Sequence, residues 1–353
     1  MPKSKLTLII DGNWLFMSRL SVLMKKYYNE YDLSQNLNLL IIQSIKIVLR
    51  QFPDIDNIML CVDGGSWRTK IEQPIKITDE NGNPIEYKGN REKSDDINWD
   101  IIFEGYNKFC ELLKRHGINV YREQDVEGDD WVWYWTNKLN SESVNCIIWT
   151  KDNDLKQLIK INKDKCFTIW WNKDNGIFCP EYSEDNFDFL FNSEYNVNST
   201  IFSNVIRNKQ ITVINPNNIV IDKIIRGDAS DNIAPIILKK PSSASSNRKY
   251  KISPKDIDYT LDCNNNELVH EFIHNIFFNK KYYGKIYENS ENDIFLHFTY
   301  NRQLVYLDKS SYPKEILEIF EKYNEYNVNK DISACESELY AETNQLNGIL
   351  NII

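Results

Sequence analysis

The sequence has no Cys-x-x-Cys pair, only four histidines, and no opening hydrophobic run long enough to enter a membrane. Its seven cysteines (Cys61, Cys110, Cys146, Cys166, Cys179, Cys263 and Cys335) are odd in number and scattered. That distribution reads as reduced thiols and argues against a disulfide framework or a zinc site. With so few histidines, zinc coordination and histidine general-base chemistry are not expected. The apolar run at residues 6–10 is too short for a signal peptide or a membrane span, so a cytoplasmic protein with no membrane partner is expected, acting as a monomer. No internal repeat is visible.

What is present is ordinary for a globular chain. It has 353 residues, 42% hydrophobic and 26% charged, enough for a real core and about two domains. A net charge of −9 seems to oppose a polyanionic partner. However, nine of the 51 acids fall in the motifs described below, and without them acids and the 42 lysines and arginines balance. Distribution outweighs the sum, and bound divalent cations would shift the local sign, so a polyanionic substrate is not excluded.

Hydrophobic patterning predicts strands at residues 5–10, 57–62, 118–121 and 146–149. Helices are predicted at 33–49, 101–115, 127–139 and from 154 to 160. Such alternation is the signature of an α/β domain with a parallel sheet. Residues 66–93 are polar and turn-rich, which predicts a long loop or flexible insert. From residue 257 the pattern is mostly helical, with a domain change near residue 200.

Asp11, Asp63, Asp152 and Asp154 each lie at or just past the end of a predicted hydrophobic strand. In open parallel sheets that edge is where ligands bind. Glu127-Gly-Asp129-Asp130 opens a helix after another strand, and Asp228 and Asp231 stand three apart. Taken singly, these are strand-ending turns, helix caps or first-turn acids. Taken together they are a cluster of carboxylates that repel one another, which a cation relieves. Hard oxygen donors without Cys or His suit Mg²⁺ or Mn²⁺. Two such ions roughly 3.5–4 Å apart can activate water and stabilise both the entering and leaving oxygens of a phosphodiester.

Several blocks then fall into a recognisable order: Asp11-Gly12-Asn13, Val62-Asp63-Gly64, Tyr87-Lys88-Gly89-Asn90-Arg91, Val126-Glu127-Gly128-Asp129-Asp130, Thr150-Lys151-Asp152-Asn153-Asp154 and Gly227-Asp228-Ala229-Ser230-Asp231-Asn232. In order and spacing they resemble the flap endonuclease and 5′–3′ exonuclease family, above all its phage members. Tyr300-Asn301-Arg302-Gln303-Leu304, leading to Tyr312-Pro313, is similar to the ribonuclease H of T-even phages.

The resemblance implies a PIN-like α/β fold: a parallel sheet flanked by helices, with a mostly helical C-terminal region. Residues 1–200 would be the nuclease domain, with an arch insert at about 64–95. Residues 201–353 would complete the metal site and carry a basic DNA-binding hairpin at 239–255. Two Mg²⁺ (or Mn²⁺) ions are implied. Residues matching Asp11, Asp63, Glu127 and Asp129 hold the first, with Asp130 close by. Those matching Asp152, Asp154 and Asp228 hold the second, with Asp231 near. Lys88 and Arg91 match basic residues that contact the scissile phosphate. The implied substrates are DNA flaps and RNA–DNA hybrids, cut during primer removal in DNA replication. One departure is plain: after the last acidic block the family carries hairpin glycines, whereas this chain reads Ile233-Ala-Pro-Ile-Ile-Leu-Lys-Lys240.

The remaining features divide between packing and binding. Trp131-Val-Trp-Tyr-Trp135, inside a helix, reads as core rather than a base-stacking face. Tyr87 and Trp67, in an insert with little core to fill, are the better stacking candidates. Lys239, Lys240, Arg248, Lys249 and Lys251 lie in a segment without any acid, which favours phosphate contact over a merely solvated loop. The apolar tail at 346–353 reads as packing on its own domain ahead of docking a replication protein, such as a single-strand-binding protein or sliding clamp. The rival readings are a PIN-type single-stranded ribonuclease and a catalytically silent nucleic-acid scaffold.

Overall fold

The computed structural model describes residues 5–26, 29–77, 83–91, 97–162, 166–180, 211–237, 252–279 and 290–350. The chain divides into two compact units. The first comprises residues 1–65, 93–214 and 319–353, the second residues 66–92 and 215–318.

The first unit is built on strands that are apolar on both faces. β1 (Leu6–Asp11), β2 (Asn57–Cys61) and β4 (Asn145–Trp149) are buried at every residue, which the β-branched and leucine runs of their sequences dictate. β3 is Asn119–Tyr121, β5 Lys160–Asn162, β6 Cys166–Asn172, β7 Gly176–Cys179 and β8 Ile211–Val213. Among the described residues they form one sheet in the order β3-β2-β1-β4-β6-β7-β8, with β5 also paired to β6. β3, β2, β1, β4 and β6 run parallel, in a register that sets Asp11 opposite Cys61 and Ile10 opposite Trp149. β5 and β7 pair with β6 antiparallel, and β8 runs parallel to β7.

Helices cover both faces. Leu8, Ile10, Leu60, Ile147 and Ile169 share a core with α1 (Gly12–Leu23), α2 (Glu30–Gln51) and α3 (Trp99–Arg115). Ile332, Cys335 and Leu339, at and within α9 (Ser333–Leu350), join that core. α4 (Gly128–Ser141) packs on β1, β2 and β4 from outside that cluster, with Trp131, Trp135 and Leu139 fully buried. Two of the three tryptophans of this helix are core, as expected, and Trp133 is half-buried: Trp135 lies 4.5 Å from Tyr121, and Trp131 meets Phe320 and Tyr323 edge-on. α1 starts without any linker after β1, and position 12 tolerates only glycine there. A Cβ on Gly12 would sit 2.6 Å from the main-chain oxygen of Cys61.

The second unit is mainly helical. It contains α5 (Pro216–Arg226), α6 (Asn266–Phe277) and α7 (Glu291–Val305), and α8 (Lys314–Glu321) follows. Asn215, Asn265 and Ser290 cap the first three through their side chains. Ile224, Ile236, Ile273, Phe298 and Leu304 anchor its core. Fully buried Asn301 ties the pieces together, donating to the carbonyls of Ile224 and Ala234 at 2.9 and 2.8 Å. The segment expected to be a loop or flexible insert is not solvent-borne throughout: Ile77, Ile85 and Tyr87 belong to this core, and the Ile85 amide donates to Ile77 at 3.0 Å. The apolar run from Ile233 to Ile237 is buried with them, which is where the family's hairpin glycines would fall. Among the described residues, no helix is long and apolar enough to cross a membrane.

Candidate active site at the carboxyl edge of the sheet

Parallel strands β1, β2, β3 and β4 deliver their chain exits to one edge, and the acids follow those exits. Asp11 ends β1 and caps α1, its Oδ1 accepting from the Trp14 amide at 2.9 Å. Its Oδ2 accepts from the Thr150 hydroxyl at 2.7 Å. Asp63 follows β2. The Asn13 side chain holds its amide at 3.1 Å, and its Oδ1 accepts from the Gly128 amide at 2.5 Å. Glycine suits that contact, because a Cβ on Gly128 would crowd the same oxygen at 3.0 Å.

Glu127 and Asp130 are buried and Asp129 half-buried at the head of α4. The Asp130 carboxylate accepts from the Glu127 amide at 3.1 Å, fixing the turn that presents the three acids. Thr150 then links the next motif, because the Asp152 amide donates to its hydroxyl at 2.9 Å. The Asp154 amide donates in turn to Asp152 Oδ1 at 2.8 Å. Asp152 is exposed and Asp154 half-buried. The helix expected after Asp154 is a short 3-10 turn, Asp154–Leu158, before the chain enters β5.

The electrostatics are those of crowded carboxylates. Burial pushes the Asp11 carboxyl up to about 7, against its two hydrogen bonds, and Asp152 and Asp63 push it further in the same direction. The Cys61 thiol beneath is driven well above its usual value by burial, then by Asp11 and Asp129. It therefore stays neutral and is a poor metal ligand. Buried Tyr106 donates to the main-chain oxygen of Gly12 at 3.1 Å and is also held protonated. The donor set at this edge is all oxygen.

In the second unit, Gly227 takes φ +67 and turns the chain into the last acidic motif. Asp228 and Ile233 bridge as a tight antiparallel pair, and the carboxylates of Asp228 and Asp231 lie within 4.8 Å of each other. Burial opposes ionisation of Asp228, but its hydrogen bonds from Lys223 and Ser230 outweigh it and hold the carboxyl below the usual range. The Tyr87–Arg91 turn of the insert is fastened to this loop. The Lys88 amide donates to Asp231 at 2.8 Å, Asn90 to Ala229 at 3.2 Å, and Asn232 to Glu86 at 2.8 Å. Arg91 forms an ion pair with Asp231 at 2.5 Å. Lys88 sits at φ 57, with its ammonium 4.9 Å over the Tyr87 ring.

Residues 6–187 match the family model described as the 5′-3′ exonuclease, N-terminal resolvase-like domain. The chain belongs to this 5′–3′ exonuclease family. Among solved structures, a bacteriophage T5 protein co-crystallised with metal ions is similar in fold. Its TM-score is 0.52 and its identity 15%, over 90% of this chain and 98% of the T5 chain. A T5 5′-exonuclease with zinc bound gives 0.51 and 15% over the same shares. At that identity the likeness is one of fold: a mostly parallel sheet flanked by helices. No curated protein matches the sequence.

For this family member the expectations fare unevenly. Asp11, Asp63 and Asp152 are brought into electrostatic reach of one another, and the Asp63 carboxylate is bonded to the head of α4, which carries Asp129 and Asp130. Asp228 and Asp231 gather with Arg91 and Lys223. Base stacking by Tyr87 and Trp67 is corrected. Both rings are buried, Tyr87 at 9% and Trp67 at 5% exposure, because this segment contributes to a core rather than lacking one. Lys239, Lys240, Arg248, Lys249 and Lys251 lie outside the described residues, as does 351–353 of the tail.

Two of the four histidines, His270 and His274, stand four apart on α6 within His-Glu-Phe-Ile-His. The His270 ring stacks on Phe295 at 3.8 Å, and His274 Nδ1 lies 3.2 Å from Glu291. Among the described residues they join no converging group of three ligands. Residues missed from sequence are Thr150, Trp170, Lys223 and Arg122. Thr150 had one signal, its place between a strand end and an acidic motif. The others are joined to the site only by folding.

Proposed function

We propose that this family member is a divalent-metal-dependent 5′-nuclease that hydrolyses phosphodiester bonds of DNA flaps and RNA–DNA hybrids, using two Mg²⁺ or Mn²⁺ ions. The observation that carries the reading is Asp11, a carboxyl 5% exposed and pushed up to about 7, beside Asp63 and Asp152. Crowding carboxylates in a buried place is costly unless a cation relieves them. A silent scaffold has no use for that cost. The oxygen-only donor set fits hard ions, and the one nearby thiol is held neutral.

Asp11, Asp63, Glu127 and Asp129, with Asp130 behind them, are the proposed ligands of one ion. Asp152 and Asp154 are proposed ligands of another, and Asp228 and Asp231 keep the ligand role their motif suggests. Bound ions there would lower the pKa of a water and offset charge on the phosphate oxygens. Lys88 and Arg91 are the proposed phosphate contacts. Arg91 is 57% exposed at its side chain, so its guanidinium can exchange Asp231 for a phosphate. Lys239, Lys240, Arg248, Lys249 and Lys251 are proposed to hold the duplex. Primer removal in replication is the proposed setting, with a single-strand-binding protein or sliding clamp as candidate partner.

A PIN-type ribonuclease shares the acids but normally lacks the insert and the Asp228/Asp231 block. The hydrogen-bonded fastening of the Tyr87–Arg91 turn to the 228–232 loop favours the 5′-nuclease. The test is digestion of 5′-labelled and 3′-labelled flap, nicked and hybrid substrates, with Mg²⁺ and with EDTA. Release from the 5′ end that stops in EDTA is expected. Cutting in EDTA, or of single-stranded RNA alone, overturns the reading.

A further inference from the structure

We propose that Arg122 grips a phosphate of the strand being cut, next to the scissile one; the inference rests on the nuclease reading above. Arg122 immediately follows β3, at the same sheet edge as Asp11 and Asp63. Its Nε donates to the main-chain oxygen of Asp63 at 2.9 Å, and a terminal nitrogen donates to the Asn107 side chain on α3. Both acceptors are neutral. Neighbouring cations on α3 are otherwise committed: Lys108 to Glu104, Lys114 to Glu111, and Arg115 to Glu338. Among the described residues Arg122 pairs with no carboxylate, although it is exposed and stands in an acidic neighbourhood.

A guanidinium carries five N–H donors in a rigid fork matched to phosphate. Here two of its three nitrogens are fixed, so much of the side-chain entropy is lost before a ligand arrives, and the remaining donors face solvent. Arg122 also contributes to the wall of a cavity of about 650 Å³ along α3, whose lining glutamates Glu104 and Glu111 are taken up by Lys108 and Lys114. Because it holds the main-chain oxygen of Asp63 and not its carboxylate, its reach is offset from the proposed ligands. That offset points to a neighbouring phosphate and not the reacting one. The bland alternative is a strut that only props up Asp63.

The experiment compares wild type, Arg122→Gln and Arg122→Lys on a 5′-flap DNA. Binding is measured with Ca²⁺ to prevent cutting, over a range of salt. Turnover is measured with Mg²⁺. Arg122→Gln should shallow the slope of log K against log salt by roughly 1 unit, as loss of one phosphate contact does. It should raise KM more than it lowers kcat, with Arg122→Lys in between. Replacing single phosphates near the cut by neutral methylphosphonate should weaken wild type at one position and leave Arg122→Gln indifferent there. An unchanged salt slope, or a fall in kcat with altered Mg²⁺ dependence at constant KM, overturns the phosphate contact and leaves the strut. If wild type neither binds nor cuts the flap, the nuclease reading itself fails, and this inference with it.

Discussion

The indole N–H of Trp170, on β6, donates to the main-chain oxygen of Asp152 at 3.0 Å. The same ring carries the Lys156 ammonium 4.3 Å from its centre, and Phe178 carries it 3.5 Å from its own. One side chain thus holds the Asp152–Asp154 turn at its start and just past its end. Burial lowers the Lys156 ammonium below its usual range, so the aromatic faces offset part of a real desolvation cost.

Trp170→Phe keeps a ring under Lys156 but deletes the hydrogen bond. A neutral hydrogen bond is worth about 1 kcal/mol net. Mn²⁺ affinity and kcat should fall several-fold with little change in Tm. Trp170→Ala, by contrast, should unfold the protein several degrees earlier. Isothermal titration with Mn²⁺ alongside thermal melts separates the two; an unaltered Mn²⁺ affinity in Trp170→Phe removes the positioning role.

Asp11 gives a pH dependence with a definite sign. Its folded carboxyl is raised to about 7, chiefly by burial, while an unfolded aspartate titrates near 3.9. Between those values the folded state binds the extra proton, so raising pH through that window costs stability. Compared with Asp11→Asn, wild type should lose Tm progressively from about pH 4 to about pH 7 and then run parallel. Added Mg²⁺ should restore wild type and leave Asp11→Asn unmoved. Parallel melting curves at every pH would remove the burial argument.

Lys88→Ala and Arg91→Ala should each slow single-turnover cleavage by roughly 10²–10³, the loss typical of one preorganised charge-stabilising donor. Arg91→Ala also frees Asp231 from its ion pair, so Mn²⁺ binding should hold or improve. Near-normal rapid-quench rates in both variants would show that the turn is structural only.

Gly12→Ala should cost about 1–3 kcal/mol, as overpacking does. Its Cβ would meet main-chain oxygen 2.6 Å away, which cannot rotate aside. Denaturant midpoints measure the loss. A wild-type midpoint would mean that α1 is free to slide along β2.

The parallel core and several of the acids were legible because β1 and β2 are apolar runs buried on both faces and closely followed by an aspartate. Asp11 after Ile9-Ile10 and Asp63 after Cys61-Val62 need no tertiary knowledge. α1 was not legible. Its buried residues Gly12, Leu15, Phe16, Leu20 and Leu23 keep helical spacing, but Met17 and Val22 put apolar side chains on the exposed face and blur the period. The 3-10 turn at Asp154–Leu158 read as a helix because its brevity is imposed by β5 and Trp170, not by any local breaker. Tyr87 read as exposed because polar neighbours such as Glu86 and Lys88 hid its place beside Ile77 and Ile85. Arg122 carries no local signal, since its partners lie 59 and 15 residues away.

The sheet-bearing unit is written in three separate stretches, with residues 319–353 supplying Cys335 and Leu339 to its core and Phe320 and Tyr323 to Trp131. Order of synthesis and order of folding are therefore opposed. The layer that seals the sheet is translated more than 300 residues after strand β1. Until then the tryptophan face of α4 stands without its aromatic cover, a nascent surface for chaperones to hold. Contacts of such sequence separation also make closure slow. The helix that presents Glu127, Asp129 and Asp130 gains this backing only once Phe320 and Tyr323 have been made.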